Sequence, residues 1–243
     1  MITECRSLLF LVIVGLSCFQ DAFAVDAANC IVPNEHESVT FLLIDRTDEL
    51  KNVDNLDKSL EALKALLQPG ERLVAAVSTD RASETRILLD IVRPKGSLWV
   101  SKLKIRAQEK HFEDCFGQLR SEMLVQDEEH PSSALLETLS FASKALSSDH
   151  SPKKRLVIFS DMMQNSKELS FYGVKNFVAN DFVQRAEKLS LVWDLRDVQV
   201  AVAGVGSGVS DSTGRAIEGF WKQYFEKTGA SLNYYGPVLL ATL

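Results

Sequence analysis

Val39-Thr40-Phe41-Leu42-Leu43-Ile44-Asp45-Arg46-Thr47-Asp48-Glu49 decides the fold. Six apolar or β-branched residues run straight into a polar, acidic cluster, and the segment that follows is helical in pattern. A short run of this kind reads as a buried parallel strand that delivers its polar end to one edge of a sheet. A second stretch repeats the design: Arg155-Leu156-Val157-Ile158-Phe159 ends in Ser160-Asp161. In open α/β folds that carboxyl edge is where ligands bind.

Outward from these runs the elements alternate. Leu50, Val53, Leu56, Leu60, Leu63 and Leu66 recur at steps of three and four, a helix stopped by Pro69-Gly70. Leu73–Ser78 and Arg86–Val92 read as strands, with Thr79-Asp80-Arg81 as the turn between them. Pro94 to about Ala107 reads as an irregular excursion in which Trp99 and Val100 pack, and helices follow over Glu109–Leu124 and Ser133–Leu146. Leu156–Ser160 is a strand, Lys175–Leu189 a helix, Val198–Val205 a strand, Thr213–Lys227 a helix and Ser231–Tyr235 a last strand. In the last helix Ile217, Phe220, Trp221, Tyr224 and Phe225 share one side, and Gly229 is a natural stop. Such alternation specifies an α/β fold, an open, mostly parallel, doubly wound sheet with helices on both faces.

The amino terminus reads differently. Arg6, an apolar run from Leu8 to Phe19 and the small-x-small site Ala22-Phe23-Ala24 describe a secretory signal over residues 1–24. Gly15-Leu16-Ser17-Cys18 lacks the large aliphatic residue of a lipidation site. The expected organisation is a signal over 1–24, an irregular arm over 25–38 and one domain over 39–243. No later stretch is long and apolar enough to span a bilayer. The expected location is outside the cytoplasm, periplasmic first and secreted second.

Export makes the cysteines informative. Of four, Cys5 and Cys18 leave with the signal, so Cys30 and Cys115 are the expected disulfide, with two free thiols as the alternative. Losing residues 1–24 also removes Glu4, Arg6 and Asp21, which takes the net charge from −6 to −5. A mildly acidic chain lacks the clustered positive surface that nucleic acid requires. Lys153-Lys154-Arg155, a dense basic run, reads as a solvated loop before its strand.

Three segments converge at the carboxyl edge: Asp45 to Glu49, Pro131-Ser132-Ser133 at a helix entry, and Asp161. Carboxylates with hydroxyls are hard oxygen donors, which suit Mg²⁺, Mn²⁺ or Ca²⁺ rather than zinc. Taken singly, Asp45, Asp48 and Ser133 are equally good helix caps or turn residues. Enzymatic sets do not assemble. A haloacid dehalogenase-type phosphatase needs a second Asp where Thr47 stands, and Gly204-Val205-Gly206-Ser207-Gly208 lacks the Lys-Ser/Thr of a phosphate loop. His36, His111, His130 and His150 fall in segments that nothing brings beside a nucleophile.

The order strand-Asp-x-Thr, Ser-x-Leu helix entry and strand-Ser-Asp resembles the von Willebrand factor A domain with its metal-ion-dependent adhesion site. The resemblance runs from Val39 to the C-terminus. It extends to Ser133-Ala134-Leu135 with Thr138-Leu139, and to Ser160-Asp161-Met162-Met163-Gln164-Asn165-Ser166, which is similar to exported bacterial members. It implies Asp45, Thr47 and Ser133 as direct or water-mediated ligands of Mg²⁺, or of Mn²⁺ or Ca²⁺, with Asp161 further out. An open position would accept a carboxylate from a partner protein. Glu49 replaces the family's second serine. It would enter the ion's shell, change its charge, or point away as a first-turn helix residue, the last being favoured by the helix dipole. The implied function is a non-enzymatic, protein-binding adhesion or assembly module of a bacterial envelope. The alternatives are a structural subunit of an envelope, secretion or conjugation assembly whose ion site is vestigial, and, behind both, a Mg²⁺-dependent phosphate-ester hydrolase.

Overall fold

The computed structural model describes residues 30–31, 35–46, 53–78, 82–97, 99–124, 132–206 and 211–241. The signal over 1–24, Thr47, Glu49 and the turn at 79–81 lie outside them. Six strands form one sheet: β1 (Ser38–Asp45), β2 (Glu71–Ser78), β3 (Arg86–Val92), β4 (Lys153–Phe159), β5 (Val198–Ala203) and β6 (Ser231–Tyr235). Their order is β3-β2-β1-β4-β5-β6. All neighbours are parallel except β2 and β3, which the short connection through a 3₁₀ turn at Ala82–Glu84 leaves antiparallel. The helices are α1 (Val53–Leu66), α2 (Lys102–Leu124), α3 (Leu135–Ser148), α4 (Ala179–Lys188) and α5 (Asp211–Thr228).

Period-two alternation divides the central strand between two cores. Val39, Phe41 and Leu43 join α3, α4 and α5 on one face, where Phe171, Phe182, Phe220 and Trp221 form an edge-to-face aromatic cluster. Leu42 and Ile44 join α1 and α2 on the other, against Leu56, Leu60, Leu63, Phe112 and Phe116. Burial on both faces explains why β1 reads as a continuous apolar run.

Several expectations need correction. α2 starts at Lys102, well before Glu109, and its residues 102–111 are almost all exposed, so no apolar period marks them. Trp99 does not pack; it is 96% exposed. Lys153-Lys154-Arg155 opens β4 instead of preceding it, and Arg155 lies 3.6 Å from the buried Glu71. Ser133 lies outside α3, and α4 begins only at Ala179.

Cys30 and Cys115 form a disulfide with Cα atoms 5.7 Å apart. The bond ties the arm before β1 to α2, and Ile31 adds a bridge to Asp90 of β3. Among the described residues no helix is long and apolar enough to cross a membrane.

Candidate functional site

The strand order reverses at β1, which has β2 on one side and β4 on the other, so the carboxyl ends of β1 and β4 meet at the topological switch point where open α/β folds bind ligands. Asp45 is the last residue of β1 and is only 8% exposed. Its Oδ2 accepts hydrogen bonds from Ser133 Oγ at 2.8 Å and from Ser160 Oγ at 2.9 Å. One carboxylate oxygen thus gathers two hydroxyls from segments 88 and 115 residues away.

Ser133 owes its position to an antiparallel bridge. Its N–H donates to Asn165 O at 2.9 Å, and Asn165 N–H returns a bond of 2.7 Å to its carbonyl. The capping alternative for this residue falls away, because the N-cap of α3 is Ala134 with no side-chain bond. A buried first-turn amide of that helix is served by another side chain: Gln164 Oε1 accepts from Leu136 N–H at 2.9 Å. Deeper in, Ser78 at the end of β2 meets Thr138, 3.0 Å between hydroxyl oxygens, and Thr138 Oγ1 also donates to Ala134 O. These buried hydroxyls fix the α3 entry against the strand ends.

Ser160 is the member that sequence reasoning missed. Besides donating to Asp45, its Oγ accepts from Met162 N–H at 2.9 Å. Its neighbour Asp161 accepts Met163 N–H at 2.8 Å through Oδ1, closing a tight turn. Met162, at the centre, has φ of 65°, a conformation rare for a residue with a side chain. Asp161 also acts on Tyr235: burial raises that phenol's pKa, and the carboxylates of Glu218 and Asp161 raise it further. Thr47 and Glu49 are outside the described residues, so the structure brings together Asp45, Ser133 and Ser160, with Asp161 next in the chain.

Chemically this is an oxygen-rich set with a single carboxylate at its centre. Among the described residues no three His, Cys, Asp or Glu side chains group as metal ligands. The donor type fits a hard divalent ion and does not fit zinc.

The six-stranded, mostly parallel sheet flanked by helices is an open α/β architecture, consistent with a von Willebrand factor A-like or Rossmann-like fold. No family model matches the sequence, and no curated protein is significantly similar to it. Solved structures are similar in fold. The D319A mutant of the PilB minor pilin from Streptococcus sanguinis superposes with a TM-score of 0.53 at 9% identity, over 86% of this chain and 59% of that one. The ArnB paralog VWA2 from Sulfolobus acidocaldarius gives 0.47 at 12% identity, over 83% and 41%. A von Willebrand factor type A structure from Catenulispora acidiphila gives 0.38 at 12%, over 80% and 43%. The chain therefore spans less than two thirds of each of these proteins, and the likeness at such identity concerns the fold alone.

Proposed function

We propose that this chain is an exported binding module, an adhesion or assembly component of a bacterial envelope that works by docking another protein rather than by catalysis. The contact surface is the carboxyl edge around Asp45, Thr47, Ser133 and Asp161, with Ser160 added. The observation that carries this reading is the convergence of the Ser133 and Ser160 hydroxyls on the buried Asp45 oxygen at the sheet's reversal point. The fold likeness to a protein named a minor pilin supports an assembly role. A divalent ion, Mg²⁺ first, would be held by Asp45, Thr47 and Ser133 and reached by Asp161 through water. It would supply positive charge for a partner's carboxylate.

The test is thermal unfolding of the protein titrated with MgCl₂, MnCl₂ and CaCl₂, beside Asp45→Asn. A saturable rise in midpoint in the wild type, absent in the variant, is the expected result. No cation response in the wild type removes the ion from the reading. Co-purification from the native envelope, with and without chelator, then tests the partner.

A second reading, an assembly subunit with a vestigial ion site, is favoured by one feature: two serine hydroxyls already donate to the Asp45 oxygen. It requires that partner binding survive Asp45→Asn. Absence of Mg²⁺-dependent turnover on a broad panel of phosphate esters would exclude the hydrolase alternative.

A further inference from the structure

The geometry points to a second functional surface at the opposite pole: the segment from Trp99 through the first turns of α2 is a docking element for an anionic lipid bilayer. The inference stands independently of the ion site.

The sequence between positions 93 and 111 carries six Lys and Arg against one acidic residue, Glu109, within a chain whose net charge is −6. Some of these cations serve the fold. Arg93 donates to the carbonyls of Lys64 and Leu67 at the end of α1, Lys95 pairs with Glu37 at 2.5 Å, and Lys110 pairs with Asp114 at 2.5 Å. Lys102, Lys104 and Arg106 have no acidic partner among the described residues, and all three are exposed or nearly so. Between and beside them stand Trp99, 96% exposed, and Leu103, 77% exposed. Lys102, Arg106 and Lys110 recur every four residues along one side of the helix, next to Leu103.

Position makes this more than a charged helix face. Lys64 in the last turn of α1 meets Glu113 of α2, so residues 102–111 continue beyond α1 for about 15 Å at 1.5 Å per residue. A groove of about 930 Å³ lies between the first turns of α2 and the end of β3. Trp99 and Leu103 therefore stand exposed beside Lys102, Lys104 and Arg106, cations that pair with no acid among the described residues. Trp and Leu flanked by Lys and Arg is the composition that enters the headgroup region of anionic membranes. An exposed indole and leucine among cations match a surface with anions above an apolar layer, which an anionic bilayer offers and a soluble acidic chain does not. The eight residues of β1 separate this pole from Asp45 by about 23 Å, so a membrane-docked molecule would present its carboxyl edge away from the lipid.

The experiment is vesicle co-sedimentation of the protein with phosphatidylglycerol-containing and pure phosphatidylcholine vesicles at low and physiological salt. Wild type is compared with Lys102→Glu/Lys104→Glu/Arg106→Glu and with Trp99→Ala/Leu103→Ala. All these positions are largely solvent-facing, and circular dichroism with thermal unfolding verifies that the variants fold. Binding is expected only to the anionic vesicles, weakened by salt, and reduced about tenfold or more by the charge reversal and severalfold by the Trp99/Leu103 variant. Equal binding to both vesicle types, or binding unchanged by the variants, overturns the inference. So does capture of soluble polyglutamate without vesicle binding, which would assign the surface to an acidic protein instead.

Discussion

Trp221 in α5 donates its indole N–H to the carbonyl oxygen of Met162 at 2.9 Å, with both side chains completely buried. The bond reaches across 59 residues and holds the one turn in which Ser160 and Asp161 are aimed. Trp221→Phe keeps an aromatic ring yet leaves the Met162 carbonyl unpaired and a void beside it. The expected cost is about 3 kcal/mol by urea unfolding. If the turn depends on this bond, amide exchange at Met162 and Met163 accelerates more than at β5; equal acceleration at both would separate Trp221 from the site.

Gly204, at the end of β5, makes the close approach that this turn needs. Its φ is +94°, and a Cβ there would sit 2.9 Å from Ser160 O and 3.1 Å from Ser160 N. Gly206 has a similar φ of +98° with open space around it. Gly206→Ala is therefore expected to cost about 1 kcal/mol from backbone strain alone, and Gly204→Ala about 1–2 kcal/mol more. Equal losses in chemical unfolding would mean that the contact with Ser160 is unimportant.

What was legible in the sequence follows from where the determining forces act. Arg86–Val92 and Ser231–Tyr235 were readable to the residue because short β-rich runs end in turn residues, and α1 and α5 because their leucines and aromatics keep a helical period. The first ten residues of α2 bury nothing, so no period announces them. Asp45 and Ser133 were found because each ends or enters an element. Nothing in the local sequence marks Ser160, because its hydroxyl is aimed by a turn that bonds to Trp221, far along the chain. Likewise, nothing local links His36, Arg72, Asp90 and Asp149, whose contacts span up to 113 residues.

The disulfide closes a separation of 85 residues. In the chain-entropy model a loop of this size stabilises by up to about 4.5 kcal/mol, acting on the unfolded chain. The double variant Cys30→Ala/Cys115→Ala is expected to lose much of that in urea unfolding, and the oxidised parent to show no free thiol when denatured. Unchanged midpoints, or two reactive thiols in the parent, would contradict the pairing.

At the base of the sheet, Arg72 forks onto Asp90 with two bonds of 2.7 Å and reaches Asp149 Oδ2 at 3.1 Å, where His36 Nε2 also lies at 2.7 Å. Burial alone would raise the Asp149 pKa, but bonds from the Ser151 hydroxyl and amide, with His36, outweigh it and bring the value to about 2. A depressed carboxylate stabilises the fold above its unfolded value near 3.8 and loses that contribution as pH falls through about 2. Stability should therefore drop by about 2 kcal/mol between pH 4 and pH 2 on account of this residue. Asp149→Asn, less stable at pH 6, should lose correspondingly less over that window. Parallel acid limbs in urea unfolding would assign the loss elsewhere.

Ser133 and Ser160 donate to the same Asp45 oxygen, so their contributions must be coupled. A hydrogen bond to a charged group contributes about 1.5–3 kcal/mol, and a buried carboxylate that loses one donor leans harder on the other. Ser133→Ala and Ser160→Ala are each expected to cost about 2 kcal/mol. The double variant should then exceed their sum by about 1 kcal/mol, because Asp45 is left without either hydroxyl on that oxygen. Ser160→Ala should also weaken any Mg²⁺-dependent stabilisation as strongly as Ser133→Ala does. Strict additivity, together with a cation response that ignores Ser160, would reduce that residue to a turn former and return the site to Asp45 and Ser133.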